Sequence, residues 1–592
     1  MGRKGEWGRK GEKEERRGKE KRKQLLMNMR KTDKILLAAV VAAGAIAAMV
    51  AGTGMTATGA TRSAKGDISR NLDIFTSIYK ALQTSYVDSI DADKSMNTAI
   101  GAMLNEIDPY TEYISEADQD DFLTISTGEY GGIGSYIGER DGKVFVSEPR
   151  EGSPAQKGGL KPGDVFLVID GDSLKGLHSD EVSKRLKGQA GTKVAITVKR
   201  PYVADSIVDI ELTREKIEID PVPYYGVVKG NIGYIQLTSF NEKTFQKTRD
   251  ALLDLKSKPE VKSIVLDLRG NGGGLLESAV QVVGLFVPKG TEVVRTRGKG
   301  QLNEKIYKTT QKPVDTEIPL AVIVNGGSAS AAEIVTGALQ DLDRAVIVGE
   351  RSFGKGLVQS TRQLPYNGLL KVTIAKYYIP SGRLIQAIDY SHRNPDGTVA
   401  RIPDSLTTVW HTANGREVRD GGGITPDVKV EYPEGNRLVY NIVKDNWSFD
   451  FANKYAATHP TVPAPEEFVV TDTIFDEFKR FIDPSKFKYD RQCELILEEL
   501  EKASKTEGYL NDQVQAQLDS LKVTLKHDLN HDLDLNRKTI SEYLASEILQ
   551  RYYYDRGAII EALKHDADLD TVARIFNTPG RYASILAPAK KK

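Results

Sequence analysis

Cysteine is nearly absent: only Cys493 occurs in 592 residues. That excludes intramolecular disulfides, cysteine-based metal sites and a lipidated cysteine near the N-terminus. Net charge is missing too. Lys+Arg and Asp+Glu number 82 each, so no global bias points to nucleic acid. Histidine is sparse, and His178, His392, His411, His459, His527, His531 and His565 all lie outside the glycine-rich strand ends considered below. Sequence position alone does not fix their distance in space.

A chain of 592 residues is too long for one domain and predicts three or four. Ile35 to Met55 carry no charge, are rich in Ala, Val, Ile and Leu, and follow a strongly basic stretch. The length suits a bilayer span. The positive-inside rule keeps residues 1–34 in the cytoplasm and exports everything after residue 56. A cleaved signal peptide, with small-residue sites near Ala57 to Ala60, is the rival reading; such segments are usually shorter, which favours an uncleaved anchor. The first 26 residues are low-complexity Lys/Glu/Arg/Gly: a disordered arm, or a misread start whose true position is Met27 or Met29.

Residues 65–118 read as helices. Leu72, Ile74, Phe75, Ile78, Tyr79 and Leu82 recur at helical spacing, as do Met96, Ile100, Met103, Leu104 and Ile107, before Asp108-Pro109-Tyr110-Thr111 breaks the pattern. A small bundle or a dimerisation arm fits. The texture then turns to short strands and glycine turns. Tyr130-Gly131-Gly132-Ile133-Gly134, Lys143-Val144-Phe145-Val146, Gly152-Ser153-Pro154-Ala155, Lys161-Pro162-Gly163-Asp164 and Val165 to Gly171 follow one another, with a helix Ser179 to Leu186 and a strand Lys193 to Val198. This order resembles a bacterial-type PDZ domain, placed at 119–215. The resemblance implies that Gly132, Ile133 and Gly134 offer backbone N–H groups to a peptide's terminal carboxylate. Val182 and Leu186 would line a pocket for its last side chain. A β-domain without a ligand is the plain alternative.

Residues 216–430 read as α/β. Gly233 to Leu237, Ser263 to Leu268 and Leu320 to Val324 are buried-strand runs, the first two flanking a helix Asn241 to Leu255. Sites in parallel sheets form at the carboxyl ends of strands. Asp267-Leu268-Arg269-Gly270-Asn271-Gly272-Gly273-Gly274 and Asn325-Gly326-Gly327-Ser328-Ala329-Ser330 sit there. From 431 to 592 the chain reads as a solvated helical bundle without a catalytic motif.

Ser328 and Ser330 compete as nucleophiles. Ser330-Ala331-Ala332-Glu333 fits a capping box, in which the serine merely starts a helix. A helix start equally suits a nucleophile, because free N–H groups there stabilise an oxyanion, with Ala331 N–H as one donor and the 272–274 glycine turn as the source of another. Lys355, between Gly354 and Gly356 on an apolar strand, becomes a base if burial keeps it neutral. In a strand, Gln359 would share its face and hold it. A surface lysine in a glycine turn is the competing reading.

The ordered set Asp-Leu-Arg-Gly-Asn-Gly-Gly-Gly, Ser-Ala-Ser-Ala-Ala-Glu, Gly-Ala-Leu-Gln-Asp, Phe-Gly-Lys-Gly-Leu-Val-Gln, Tyr377 to Arg383 and Gly423 to Asp427 resembles the carboxy-terminal processing peptidases, or tail-specific proteases, over about residues 68 to 430. In that family the second serine of Ser-Ala-Ser lies 25 positions before the lysine; here 355 − 330 = 25, which selects Ser330. The resemblance implies Ser330 as nucleophile, Lys355 as base, Gln359 as its orienting residue, and Ala331 and Gly273 as oxyanion donors. It implies no metal or cofactor. The expected fold is multidomain α+β: helical arm, PDZ domain, α/β core of the crotonase/ClpP-like kind and C-terminal helical domain. The expected function is a serine endopeptidase, anchored in the inner membrane through residues 35–55 with its catalytic part in the periplasm, that recognises apolar C-termini of exported proteins. A homo-oligomer is expected and nucleic acid is not. A silent PDZ scaffold, or a regulatory protease making one signalling cut, is the alternative.

Overall fold

A computed structural model describes residues 64–203, 206–299, 304–394, 398–432, 435–489 and 491–588. The basic arm and the expected span at 35–55 lie outside the described residues. Among the described residues no helix is long and apolar enough to cross a membrane. The chain divides into two compact units at Met96/Asn97.

In the first unit, the helix Ala64–Ser85 takes up the apolar spacing read from the sequence. Its row Ile68, Leu72, Phe75, Ile78 and Leu82 is exposed, and Tyr79 donates its hydroxyl proton to Ala92 O at 2.7 Å.

The second unit holds three bodies. One is a β-domain whose antiparallel sheet runs Ser135–Arg140, Lys143–Pro149, Val165–Ile169, Lys193–Lys199, Ile207–Thr213, leaving the first strand as an edge. Beside that edge lies the helix Ser179–Leu186, its start fixed by the Glu139 carboxylate, which accepts from Ser179 N at 3.0 Å.

The next body is a six-stranded sheet in chain order: Tyr224–Val228, Ile232–Gln236, Ser263–Asp267, Leu320–Val324, Val346–Gly349, Val428–Lys429. The first pair is antiparallel and the rest are parallel. Strand alternation assigns its two faces. Ile264, Leu266, Leu320, Val322, Val324 and Ile347 pack under the helices Thr244–Ser257, Leu276–Val283 and Ala331–Asp341. Val265, Ala321, Ile323, Val346 and Val348 point the other way. A second sheet, built around Leu369–Tyr378, takes Glu112–Ile114 and Leu357–Gln363 as partners.

What covers the other face of the six-stranded sheet corrects the reading of the tail as a solvated bundle. The helices after residue 437 do build their own core around Phe451, Phe475, Phe478, Leu544 and Ile548. Ile560, Leu563, Leu569, Val572 and Ile575, however, seal the sheet. The same tail grips the β-domain: Asp450 receives both Arg140 nitrogens at 2.9 and 3.1 Å, and Gln550 Nε2 donates to buried Glu148 at 2.5 Å. Gln156 donates to the hydroxyl of Tyr554 at 2.5 Å, the residue whose φ of 52° breaks the helix Arg537–Lys564. An amphipathic stripe announces burial but not its partner, so the sequence alone left these docking faces unassigned.

Arg269, in the loop after Ser263–Asp267, ties the tail to the sheet edge. It pairs with Asp267 and Asp566 at 2.5 Å each and with Asp568 at 2.9 Å, three largely buried carboxylates. Arg269→Ala would strand them without their cation. The expected loss is about 3–5 kcal/mol of unfolding free energy, read by urea denaturation; a loss below about 1 kcal/mol would mean that the tail docks on apolar contact alone.

Candidate active site

Three loops leave adjacent parallel strands at the same edge: 268–275, 325–330 and 350–356. They are laced together by backbone and asparagine groups. Ala329 N donates to Asn271 O at 2.9 Å, Gly270 N to Asn325 Oδ1 at 3.0 Å, and Phe353 N to Ser328 O at 3.0 Å.

The two serines now separate. Ser328 is fully buried; its hydroxyl donates to Leu268 O at 2.8 Å and accepts from Asn325 N at 3.0 Å, so it pins the loop. Ser330 is partly exposed and caps the helix Ala331–Asp341 with φ 57° and ψ −115°, a strained conformation for a residue with a Cβ. Gly273 lies against it. A Cβ there would stand 2.7 Å from Ser330 Cβ and 3.0 Å from Ala331 N, so only glycine fits. Of the two expected oxyanion donors, Ala331 N–H has no acceptor among the described residues, whereas Gly273 N–H donates to Asn271 Oδ1 at 2.9 Å.

Glu333, which the sequence presents as the third residue of a capping box, does more than cap. Its carboxylate is fully buried and accepts from Ser330 N (2.9 Å), Lys355 N (2.8 Å), Gly354 N (2.7 Å) and Ser352 Oγ (2.5 Å). Burial pushes its carboxyl up to about 7, and the four hydrogen bonds pull the other way. Tyr377 reinforces the link: its hydroxyl lies 3.0 Å from Ser330 O and 2.5 Å from Lys355 O and can donate to either. No sequence signal separated Glu333 from an ordinary cap. Tyr377 sits in a quoted motif, but its partners depend on the fold.

Lys355 is not on a strand. Residues 351–356 are irregular, the strand begins at Leu357, and a register shift falls between Val358 and Gln359, so the shared-face argument for Gln359 does not apply. Gln359 Nε2 donates instead to Thr373 Oγ1 at 3.1 Å. Burial, then repulsion from Lys371, brings the Lys355 amine down to about 8, against the attraction of Asp108, Glu333 and Glu112. Its Nζ stands 4.2 Å from the Tyr110 ring centroid and makes no hydrogen bond to Ser330 Oγ among the described residues.

In the β-domain, Gly132 pairs with Glu215. The carbonyls of Ile133 and Gly134 are taken by Ala155 N (2.8 Å) and Arg150 N (2.9 Å), while their N–H groups have no acceptor among the described residues. Val182, Leu186 and Ile133 are buried together in the domain's core. Among the described residues no group of three or more His, Cys, Asp or Glu side chains is arranged to hold a metal ion.

Comparison with known proteins matches three family descriptions to the chain: "Peptidase family S41" to residues 231–393, "PDZ domain" to 145–200, and "Probable PDZ-protease, C-terminal helical domain" to 438–576. A carboxy-terminal-processing protease of Bartonella bacilliformis is 39% identical over 322 residues, 54% of this chain and 73% of that protein. A probable CtpA-like serine protease of Staphylococcus aureus is 37% identical over 317 residues, 53% of this chain and 62% of that one. Among solved structures, a photosystem II D1 C-terminal processing protease is 28% identical, covering 60% of this chain and 92% of its own, at a TM-score of 0.33.

A depressed amine has a stability consequence. Lys355 titrates near 8 when folded against 10.5 when free, so the wild type must bury an ammonium at neutral pH, and its relative cost disappears only above 10.5. Lys355→Met is therefore expected to be more stable by about 1–3 kcal/mol at pH 7, the gain shrinking as pH rises from about 8 to 10.5. Urea melts at several pH values measure this, and a pH-independent difference would sink the assignment of a desolvated amine.

Proposed function

Because the chain belongs to the carboxy-terminal-processing proteases, with a PDZ domain and a C-terminal helical domain, we propose that it is a serine endopeptidase cutting with Ser330 and Lys355. Its substrates are exported proteins whose apolar C-terminal ends bind the PDZ domain. The observation that carries this reading is the Glu333 carboxylate, which holds the backbone of both residues at once.

In the reaction, neutral Lys355 takes the proton of Ser330 Oγ as that oxygen attacks the peptide carbonyl. The carbonyl oxygen gains negative charge opposite Ala331 N–H at the helix start, where the macrodipole favours it. Gly273 joins as a second donor once Asn271 Oδ1 yields its N–H. Lys355 then gives the proton to the departing amine, leaving an acyl-serine that water releases by the reverse sequence. Gln359, on the strand that begins two residues after Lys355 and hydrogen-bonded to Thr373 of the neighbouring strand, orients the base.

The free N–H groups of Ile133 and Gly134 are matched to a terminal carboxylate. The open edge Ser135–Arg140 is matched to an added peptide strand, with Val182 and Leu186 shaping the apolar end of the groove. Anchoring through 35–55, with the protease outside the cytoplasm, is part of the same proposal. So is self-association, for which the exposed row on the helix Ala64–Ser85 is the surface to be covered.

On an unfolded substrate ending in apolar residues, Ser330→Ala and Lys355→Ala should each lower turnover by several orders of magnitude. Wild-type activity should climb with pH through about 8, as the base loses its proton. Equal cleavage by all three proteins would end the Ser-Lys reading.

A further inference from the structure

Lys355 has a partner in this structure, and it is an aromatic face. The Tyr110 ring centroid lies 4.2 Å from its Nζ, inside the range where an ammonium is attracted by the ring quadrupole. Tyr110 is held from three sides. Buried Asp108 accepts from Tyr110 N at 2.8 Å and from Thr111 N at 2.7 Å, closing a tight turn. The Tyr110 hydroxyl lies 3.3 Å from that of Tyr390, with the rings edge to face. Thr111 Oγ1 accepts from Thr373 N at 3.2 Å and lies 3.4 Å from the Thr373 hydroxyl that Gln359 also contacts. Gln359 is therefore wired to the turn that carries Tyr110.

We propose that Tyr110 is a positioning residue for the base: its ring holds Lys355 away from Ser330, and the catalytic pair assembles when the Asp108–Thr111 turn gives the side chain up. The inference rests on Ser330 and Lys355 being that pair. Its physical content is a preference between protonation states. A ring face attracts an ammonium and offers nothing comparable to a neutral amine, so Tyr110 favours the form of Lys355 that cannot accept a proton. The other charged groups acting on the amine are Lys371, Asp108, Glu333 and Glu112. Lys371 and Glu112 pair with each other at 2.7 Å. Replacing Tyr110 alters none of these, which isolates the ring.

The test uses the full-length enzyme and the pH dependence of Ser330 phosphonylation by a fluorophosphonate. Tyr110→Phe keeps the face and is expected to keep the wild-type midpoint. Tyr110→Leu keeps the apolar bulk without the face; its midpoint should fall by about half to one pH unit, with labelling several-fold faster below it. Stepwise fluorination of a phenylalanine at position 110 weakens the quadrupole without changing shape, and should lower the midpoint in steps even if Tyr110→Leu folds poorly. A flat fluorination series, or a folded Tyr110→Leu with the wild-type midpoint, overturns the proposal. Lys355→Ala separates the two failures. If it abolishes labelling while the Tyr110 series is flat, only the role of Tyr110 falls. If it labels at the wild-type rate, the Ser-Lys reading falls and takes this inference with it.

Discussion

The Glu333 carboxylate is wholly enclosed, yet every hydrogen bond it receives comes from the two segments that matter most: Ser330 N on one side, and Ser352, Gly354 and Lys355 on the other. Leaving a charged group in such a place without partners would cost several kcal/mol. Four donors offset that cost, and in doing so they fix the distance between a helix start and an irregular loop. Tyr377 adds a second tie, on the carbonyl side, between the same two segments. Ser330 is at positive φ, and residues 351–356 belong to no helix or strand. Remove the carboxylate and the N–H groups of Ser330, Gly354 and Lys355 lose their shared acceptor.

The same economy appears one layer out. Strand alternation sends one face of the parallel sheet to its crossover helices and the other to the C-terminal helices, so the tail completes the core that supports the loops. Arg269 leaves the first of those loops to meet two aspartates of the tail, and the tail's long helix reaches the PDZ domain through Gln550 and Tyr554. Two successive helices of the tail thus touch the PDZ domain and the sheet edge. The motifs at 337–341, 377–383 and 423–427 serve a comparable end. Buried Arg383 pairs with Asp341 at 2.9 Å, and Asp427 receives Arg416 at 2.6 Å and Gln340 at 3.0 Å, joining stretches far apart in sequence.

Periodicity and glycine placement made most of the architecture legible. The runs at 263–268 and 320–324 are strands, and 179–186 is a helix, because each pattern is local. The two serines were legible in order and spacing, though their different hydroxyl environments were not. What escaped is what depends on side chains meeting across the fold. Glu333 looks like any capping residue until four donors converge on it. Asp108-Pro109-Tyr110-Thr111 reads as a helix breaker until its ring is found over a lysine 245 positions on (355 − 110). The strand-parity argument for Gln359 does not carry over, because parity presumes an unbroken ladder and the bulge at Val358/Gln359 breaks it.

If Lys355 is the base, as proposed above, the use of lysine over histidine follows from the same geometry. A histidine would titrate near neutrality without help, but it needs a second group to fix its ring and tautomer. Lysine needs only to be dried. The loop supplies that, since glycines on both sides let the backbone sink: a Cβ at Gly354 would collide with Ala387 at 2.3 Å. Burial brings the amine down to about 8, while nearby carboxylates keep it from falling further. A base poised there is charged at rest and one small displacement from neutral, so modest movement of a neighbouring side chain suffices to change which form dominates. A histidine held rigidly by a third group would lack that sensitivity.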